Sequence, residues 1–312
     1  MLPAFILLSM TVLGLSTLIA LFTNSLIIVV NLADKAKGKN LSPSDLIVVT
    51  LCISNILFQF IMLVNDFMSF LDGDVYFTDE VYILSTVLLM LPIYSSFWFT
   101  VCLSINYYLQ IVISTHPFFI RLKLSAAQLI PCMIIASVFI SLATAYPRAW
   151  NFYRTPQSFN MSSGESAEIT VPRLNTVYLL AINLISCTIP LILIGIANGL
   201  IIKALVTHKS DKNSKGEVSA RAEGRVRAAR TLSGLLFIYV SFYISEILVF
   251  VDVFPQSSPG FCTCLMVIYS YSPAQSIVLI FGSSKLKHVS LAFFHCNSKE
   301  KTRTPTVLFI NS

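Results

Sequence analysis

Between Trp98 and Lys123 the chain reads WFTVCLSINYYLQIVISTHPFFIRLK, an apolar run that ends in a basic hook. The run contains no Asp, Glu, Lys or Arg before Arg121, and it reaches back without charge to Val81. As a helix, residues 81–120 would be about 60 Å long, roughly twice the ~30 Å hydrocarbon core of a bilayer. We therefore predict a long helix that crosses a membrane and projects beyond it.

The composition of the whole chain agrees with a membrane protein. Hydrophobic residues make up 55% of the sequence and charged residues only 12%, about half the charged share of a soluble domain. The hydrophobic residues fall into blocks of span length separated by short gaps, which leaves no room for a separate soluble domain. The first block follows Met1 without a basic n-region, so we expect an uncleaved first span, with a cleaved signal as the alternative.

Seven blocks can be drawn, and they predict an all-α membrane protein built as a seven-transmembrane-helix bundle. The predicted spans cover about 5–32, 46–69, 80–113, 124–147, 174–206, 230–251 and 261–282. After them, Lys285, Lys287 and His288 face Leu286 and Val289 in an amphipathic pattern. This pattern predicts a short helix over 283–295 that lies on the membrane, with a frayed end of the seventh span as the alternative. The membrane domain would then be 1–295 and the cytoplasmic tail 296–312.

The distribution of Lys and Arg predicts the orientation. Only Arg148, Arg154 and Arg173 lie in the loops on one side, whereas nearly all other Lys and Arg lie on the opposite side. The positive-inside rule places the N-terminus outside and the C-terminus inside a multi-pass protein of the plasma membrane. The sequon at Asn160 falls in the second outer loop, so we predict glycosylation there, whereas Asn40, on the cytoplasmic side, should stay unmodified. The net charge of +6 thus reflects topology and contact with membrane lipids, not nucleic-acid binding.

Catalytic and metal-binding patterns are absent from the sequence. The four histidines (His116, His208, His288 and His295) lie at the predicted cytoplasmic edge or in the tail. The chain contains no HExxH motif, paired aspartates or Gly-rich phosphate loop, and its seven cysteines show no metal-ligand spacing. We therefore expect neither an enzyme nor a cofactor or metal.

Two acids inside the spans point to a ligand site. Glu246 lies ~24 Å along its helix from Arg230, and Asp66 lies ~31 Å from Asp45, so both fall in the outer part of the bundle. Transporters usually hold several ionisable groups nearer the midplane, so this placement favours a pocket open to the outside. For Asp66, the alternative is that it marks the wet end of its span.

Glu246 shares a helix face with Tyr239, Phe242 and Tyr243, which precede it by three- and four-residue steps. An acid above an aromatic floor predicts a site for a cationic amphiphile. The alternative is that the aromatic stripe packs against other helices. The basic segment 203–230 also has two interpretations: it sets topology and attracts anionic lipid, or it forms a partner surface that the sixth span moves.

Several motifs at the predicted cytoplasmic half match a known pattern. They are Asn24, Asn31, Asp34, Lys37, Lys39, Ser42, Asp45, Leu51 and Ser54; Trp98, Thr100, Leu103, Ser104, Tyr107, Leu109, Ile111, Ser114, Phe119, Leu122 and Lys123; and Pro273, Ser276, Leu279, Ile280, Lys285, Leu286 and Lys287. Over nearly its whole length the chain resembles the bitter taste receptors, the taste receptor type 2 family. It lacks the DRY, CWxP and NPxxY motifs of rhodopsin-like receptors and their cysteine pair at the top of the third span.

The chain departs from that family at several positions. Asn55 replaces an Arg, Gln275 a His and Gln110 a Lys, and a Trp of the outer third span is missing near Leu89 and Ile93. The chain therefore resembles a divergent member of the family. We expect these departures to affect the range of ligands more than the fold.

The resemblance implies a G-protein-coupled receptor that detects bitter, often cationic amphiphilic, small molecules and activates a gustducin-like heterotrimeric G protein. We predict that the ligand pocket is lined by Asp66, Leu89, Ile93, Tyr239, Phe242, Glu246, Leu265 and Tyr269. The G-protein contacts it suggests are Tyr107, Gln110, Lys123, His208 and Arg227. Cys296, just past the tail helix, is a candidate for lipidation. A vomeronasal-type chemosensory receptor and a small membrane transporter are the alternatives.

Overall fold

The computed structural model describes residues 4–71, 73–76, 78–111, 117–160, 166–212, 220–255 and 258–301. Within this part of the chain, seven helices are long and apolar enough to cross a membrane, which confirms the predicted seven-helix architecture. We call them spans 1 to 7. Their bounds are Ala4–Ala36, Pro43–Leu71, Asp79–Ile111, Ala126–Ala145, Thr176–Asn183 continued by Leu184–Thr188 and Ile189–Lys212, Ala220–Phe250, and Pro259–Gly282.

Four shorter helical segments accompany the spans. They are Gly73–Tyr76 before span 3, Pro117–Leu124 after it, a 3-10 turn at Tyr146–Trp150 after span 4, and the tail helix Ser284–Lys301. We call the end of the bundle that holds the start of span 3 and the end of span 4 the outer end, after the orientation that the charge pattern predicts.

Span 3 is the central helix of the bundle. In its apolar window 72% of the residues are buried inside the protein, against 28% in span 1 and 17% in span 4. Span 3 packs against spans 2, 4 and 5, and it touches span 6. Large apolar side chains on the periphery of the bundle, such as Leu18, Phe139 and Phe237, are instead more than 60% exposed. This is expected for side chains that contact lipid.

Several polar side chains inside the spans form hydrogen bonds within their own helix or across helix contacts. Thr17 donates to the carbonyl of Leu13 at 2.8 Å, a backbone bond one turn back that removes an unpaired hydroxyl. Between helices, Asn55 donates to the Asn24 oxygen at 3.0 Å, and Gln59 donates to Thr17 at 2.9 Å. Such bonds hold apolar helices together where the surroundings offer no water.

Span 5 is interrupted by a wide turn just before a proline. Asn175 caps the start of the span by accepting from the amides of Val177 and Tyr178. The π-helical turn Leu184–Thr188 precedes Pro190, which has no amide hydrogen and whose ring crowds the carbonyl four residues back. The widened turn relieves that conflict, and it carries the buried Ser186 and Cys187.

The loop between spans 4 and 5 contains a β-hairpin that the sequence did not predict. Strand β1, Phe152–Asn160, pairs antiparallel with strand β2, Ser166–Leu174, with Phe152 opposite Leu174. The hairpin is joined to the outer end of span 3 by an ion pair of 2.7 Å from Arg154 to Asp79. It therefore lies at the outer mouth of the bundle.

Candidate functional site

Tyr239 of span 6 joins three helices through its hydroxyl group. It donates to the carbonyl of Ser96 at 2.9 Å and accepts from the Gln275 amide at 2.6 Å. It also forms a hydrogen bond of 2.6 Å with the hydroxyl of Thr100. The side chain is completely buried. We call this group the Tyr239 network. With its polar atom fully used, Tyr239 can offer a ligand little besides its ring.

An aromatic cluster surrounds this network. Ring centroids lie 4.4 Å apart for Phe97 and Tyr239, 4.6 Å for Phe242 and Tyr271, and 5.7 Å for Phe58 and Tyr271. These five rings come from spans 2, 3, 6 and 7, and each is at most 1–2% exposed. The stripe predicted on span 6 thus packs against three other helices, as the second interpretation of the sequence has it. Sequence reasoning missed Phe58, Phe97 and Tyr271, which periodicity alone could not place opposite span 6.

Asp66 of span 2 lies beside span 7. Asp66 and Tyr269 interact electrostatically, and one carboxylate oxygen of Asp66 is buried without a hydrogen-bond partner in the described part of the chain. The structure therefore brings together two of the predicted ligand residues. The predicted apolar contacts surround the same core: Ile93 is buried, and Leu89 and Leu265 are partly buried against it.

Glu246 is 2% exposed and sits in the outer half of span 6. Neither of its carboxylate oxygens has a hydrogen-bond partner among the described residues. The charged group that interacts with Glu246 is Arg148, in the 3-10 turn that follows span 4. A buried carboxylate without a partner is expensive unless a polar group or an opposite charge compensates it.

Arg148 is the functional candidate that sequence reasoning missed. It is also 2% exposed, and one guanidinium nitrogen donates to the Tyr94 hydroxyl at 2.6 Å, whereas two others have no partner. The rings of Tyr94 and Phe250 each lie 5.7 Å from the guanidinium carbon. The sequence showed Arg148 only as a loop charge, although its position directly after an apolar span was a signal for burial.

Span 5 adds further polar atoms to the same region. Asn183 accepts from the Tyr94 hydroxyl at 3.2 Å, but its amide nitrogen and the hydroxyl of Ser186 have no partner. We call Tyr94, Arg148, Asn183, Ser186 and Glu246 the Arg148–Glu246 site. Chemically, it combines one positive and one negative group with spare hydrogen-bond donors on both sides.

The candidate coupling residues lie at the opposite end of the bundle. Tyr107 packs between the main core and a small cluster formed by Ile111, Ile201, Ala229 and Leu232 of spans 3, 5 and 6. Gln110 is exposed and donates to Ser44 at 3.3 Å, and Arg227 forms an ion pair of 3.0 Å with Glu223. The side chains of Lys123, His208, Asn160 and Cys296, and the whole of His116, lie outside the described part of the chain.

Comparisons with known proteins agree with the motifs. The family model described as "Taste receptor protein (TAS2R)" matches residues 1–298. Taste receptor type 2 member 40 of Gallus gallus is 27% identical over 285 residues, covering 89% of this chain and 91% of that protein. Member 119 of Mus musculus is 29% identical over 287 residues, covering 89% and 82%. Member 9 of Macaca mulatta is 27% identical over 275 residues, covering 86% and 87%.

Proposed function

Because the chain belongs to the taste receptor type 2 family of bitter taste G-protein-coupled receptors, we propose that it binds bitter small molecules and activates a heterotrimeric G protein. The ligands are bitter small molecules, often cationic amphiphiles, that enter from the outer side of the plasma membrane. The transducer is a gustducin-like heterotrimeric G protein. The family match favours this interpretation over a vomeronasal-type receptor or a small membrane transporter.

The unpartnered carboxylate of Glu246 carries the ligand proposal. A ligand ammonium group gives this buried acid a counter-charge and a hydrogen-bond donor, and the free energy of that contact is large because water is excluded. Phe242 lies one turn below Glu246 on the same helix face and belongs to the aromatic cluster. An amphiphile would place its apolar part against these rings. Asp66, with one unpartnered oxygen, is a second acceptor on span 2.

The Tyr239 network is positioned to pass the binding event inward. It connects span 6, which carries Glu246, to Thr100 of the central span 3 and to Gln275 of span 7. A ligand that binds one arrangement of these helices more tightly shifts the population toward it. The inner ends of spans 3, 5 and 6 meet in the small cluster beside Tyr107, where their movement would alter the surface presented by Gln110, Lys123, His208 and Arg227.

The test of the ligand proposal is Glu246→Gln, which removes the charge and keeps the size of the side chain. In a calcium-mobilisation assay, we expect cationic agonists to lose at least ten-fold in potency and neutral agonists to lose less than three-fold. Asp252→Asn is the matched control, since it removes an exposed acid two residues after the end of the same helix. An equal loss for cationic and neutral agonists would contradict an ion pair at Glu246.

The G-protein proposal needs a separate test. The receptor is expressed with a Gα protein carrying a gustducin-type C-terminus, and in parallel with a Gα protein carrying an unrelated C-terminus. We expect bitter agonists to raise calcium at least five-fold more with the gustducin-type protein. Equal signals with both Gα proteins would argue against gustducin preference, whereas no agonist-dependent signal with either would argue against the receptor function itself.

A further inference from the structure

The Arg148–Glu246 site holds two opposite charges that are buried together and yet do not satisfy one another. Both side chains are 2% exposed. Both oxygens of Glu246 and two nitrogens of Arg148 lack hydrogen-bond partners within the described residues. A buried ion pair normally repays its desolvation through direct hydrogen bonds, which this pair does not make.

The two charges nevertheless act on the same space. Phe250 lies one turn after Glu246 on span 6, and its ring lies 5.7 Å from the Arg148 guanidinium carbon. Tyr94 of span 3 accepts from Arg148 and donates to Asn183 of span 5. Spans 3, 5 and 6 and the turn after span 4 therefore converge here. The amide nitrogen of Asn183 and the hydroxyl of Ser186 also have no hydrogen-bond partner among the residues that the structure describes. Because both are completely buried, each carries an uncompensated cost of desolvation.

The charge balance of the site restricts which ligand fits it. Glu246 and Arg148 are neutral as a pair, and an arginine side chain keeps its proton in a protein. A ligand that brings only a cation would satisfy Glu246 and leave Arg148 without compensation in a region of low dielectric. A ligand with both charges would satisfy the two residues and keep the site neutral.

We propose that the Arg148–Glu246 site binds zwitterions, with the ligand ammonium on Glu246 and the ligand carboxylate on Arg148. This inference rests on the proposed function and narrows its ligand class. Arg148 has two nitrogens, Nε and Nη1, without a partner in the described part of the chain, so charged donors are left for a ligand carboxylate. The apolar part of the ligand lies toward Phe242, one turn from Glu246, and toward Phe250, whose ring lies 5.7 Å from the guanidinium.

A purely structural role is the competing explanation. In that case water molecules would bridge Arg148 and Glu246, and the pair would hold the end of span 4 against span 6. The two explanations differ in one consequence. A structural pair supports all agonists alike, whereas a zwitterion site makes each residue matter only for the ligand charge that it contacts.

The experiment uses three probes with one side chain: L-phenylalanine, its methyl ester, which is only a cation, and N-acetyl-L-phenylalanine, which is only an anion. Potency is measured by calcium mobilisation in cells expressing the full-length receptor, with untransfected cells as the blank. We expect the free amino acid to be at least ten-fold more potent than either derivative. Equal potency of the three probes, or no response to the free amino acid, would overturn the proposal.

Two single variants then separate the two charges. Glu246→Gln should cost the amino acid and the ester at least ten-fold in potency and spare the N-acetyl derivative. Arg148→Gln should cost the amino acid and the N-acetyl derivative at least ten-fold and spare the ester. Arg154→Gln, in the exposed hairpin, is the matched control for loss of an outer guanidinium and should leave all three potencies within three-fold. Parallel losses for all probes in both variants would show a structural pair.

The double variant Arg148→Gln/Glu246→Gln protects the test against misfolding, because it leaves no buried charge unpaired. We expect it to reach the cell surface, to respond to a neutral bitter agonist and to lose the preference for the zwitterion. Retention of that preference, or failure of the double variant to reach the surface, would refute the inference. If wild-type receptor answers neutral and cationic bitter compounds but shows no zwitterion preference, the inference fails and the proposed function stands.

Discussion

The hydroxyl of Tyr239 shows how much a single polar atom contributes inside an apolar bundle. Three groups from spans 3 and 7 converge on it, and no water is available to replace it. If it is removed, the Gln275 amide loses its acceptor while it stays completely buried. A buried polar group left without its partner costs about 1–3 kcal/mol.

We therefore predict that Tyr239→Phe lowers the thermal stability of the receptor while it preserves the aromatic packing. In detergent, the melting temperature should fall by roughly 3 °C or more, given about 2–4 °C per kcal/mol for a domain of this class. Tyr243→Phe is the control, since its hydroxyl has a single side-chain partner, Thr188, at 2.8 Å and lies in a partly buried position. An unchanged melting temperature for Tyr239→Phe would mean that the network does not stabilise this arrangement.

At this scale, sequence periodicity predicted which residues share a face but not what they face. The steps from Tyr239 to Phe242 and Glu246 place them on one side of span 6. The partners Ser96, Gln275 and Arg148 lie far away in the chain, so no local pattern pairs them with that face. Arg148 was missed for a related reason: a charge next to a loop is normally solvated, and only the packing of spans 3, 5 and 6 around it buries it.

The tail helix illustrates the same point for a whole element. Its attachment to span 1 depends on Lys285, which forms an ion pair of 2.7 Å with Asp34 and donates to Asn31 at 2.8 Å. The amphipathic pattern of the sequence contained no information about Asp34 as a partner of Lys285. In the chain, the two residues are separated by nearly all of the membrane spans. The hydrogen bond to Asn31 is the buried half of the contact, since Asn31 is 1% exposed.

We predict that Lys285→Met loosens the start of the tail helix without unfolding the bundle, because a partly exposed ion pair contributes little to the stability of the whole protein. Backbone amides of residues 284–292 should exchange hydrogen at least five-fold faster, as measured by mass spectrometry. Asp34→Asn should also speed exchange. The double variant should add little to either single variant, because both substitutions remove the same ion pair. Lys287→Met, an exposed neighbour, is the control. Fully additive effects would contradict a direct contact.

The hairpin between spans 4 and 5 is an element that the sequence pattern does not predict. Its strands carry scattered polar residues in place of a clean alternation, so the period-two signal of a half-buried strand is weak. The β-branched run Ile169–Val171 was the available signal, and the structure pairs it with residues 155–157 of the first strand. The ion pair with Asp79 holds this hairpin at the outer end of span 3.

For the molecule as a whole, hydropathy predicted the number of spans and could not predict how they are arranged. Span 4 is as apolar as span 3, with mean hydropathy of 2.1 against 1.8, yet it is mostly exposed whereas span 3 is mostly buried. The cause is that lipid tails and protein interiors are equally apolar, so the same side chains suit both. The central position of span 3 therefore does not follow from its hydrophobicity.

The orientation of the bundle is a prediction from the charge distribution, and glycosylation tests it. Sugars are added only on the side that becomes extracellular, and the chain has one sequon on each predicted side: Asn160 in the hairpin loop and Asn40 between spans 1 and 2. We predict that treatment with a peptide N-glycosidase increases the gel mobility of the wild-type receptor. Asn160→Gln should abolish this shift because it removes the outer sequon, whereas Asn40→Gln should leave it unchanged. If Asn40→Gln abolished the shift instead, the bundle would have the opposite orientation, and Glu246 and Arg148 would open toward the cytoplasm.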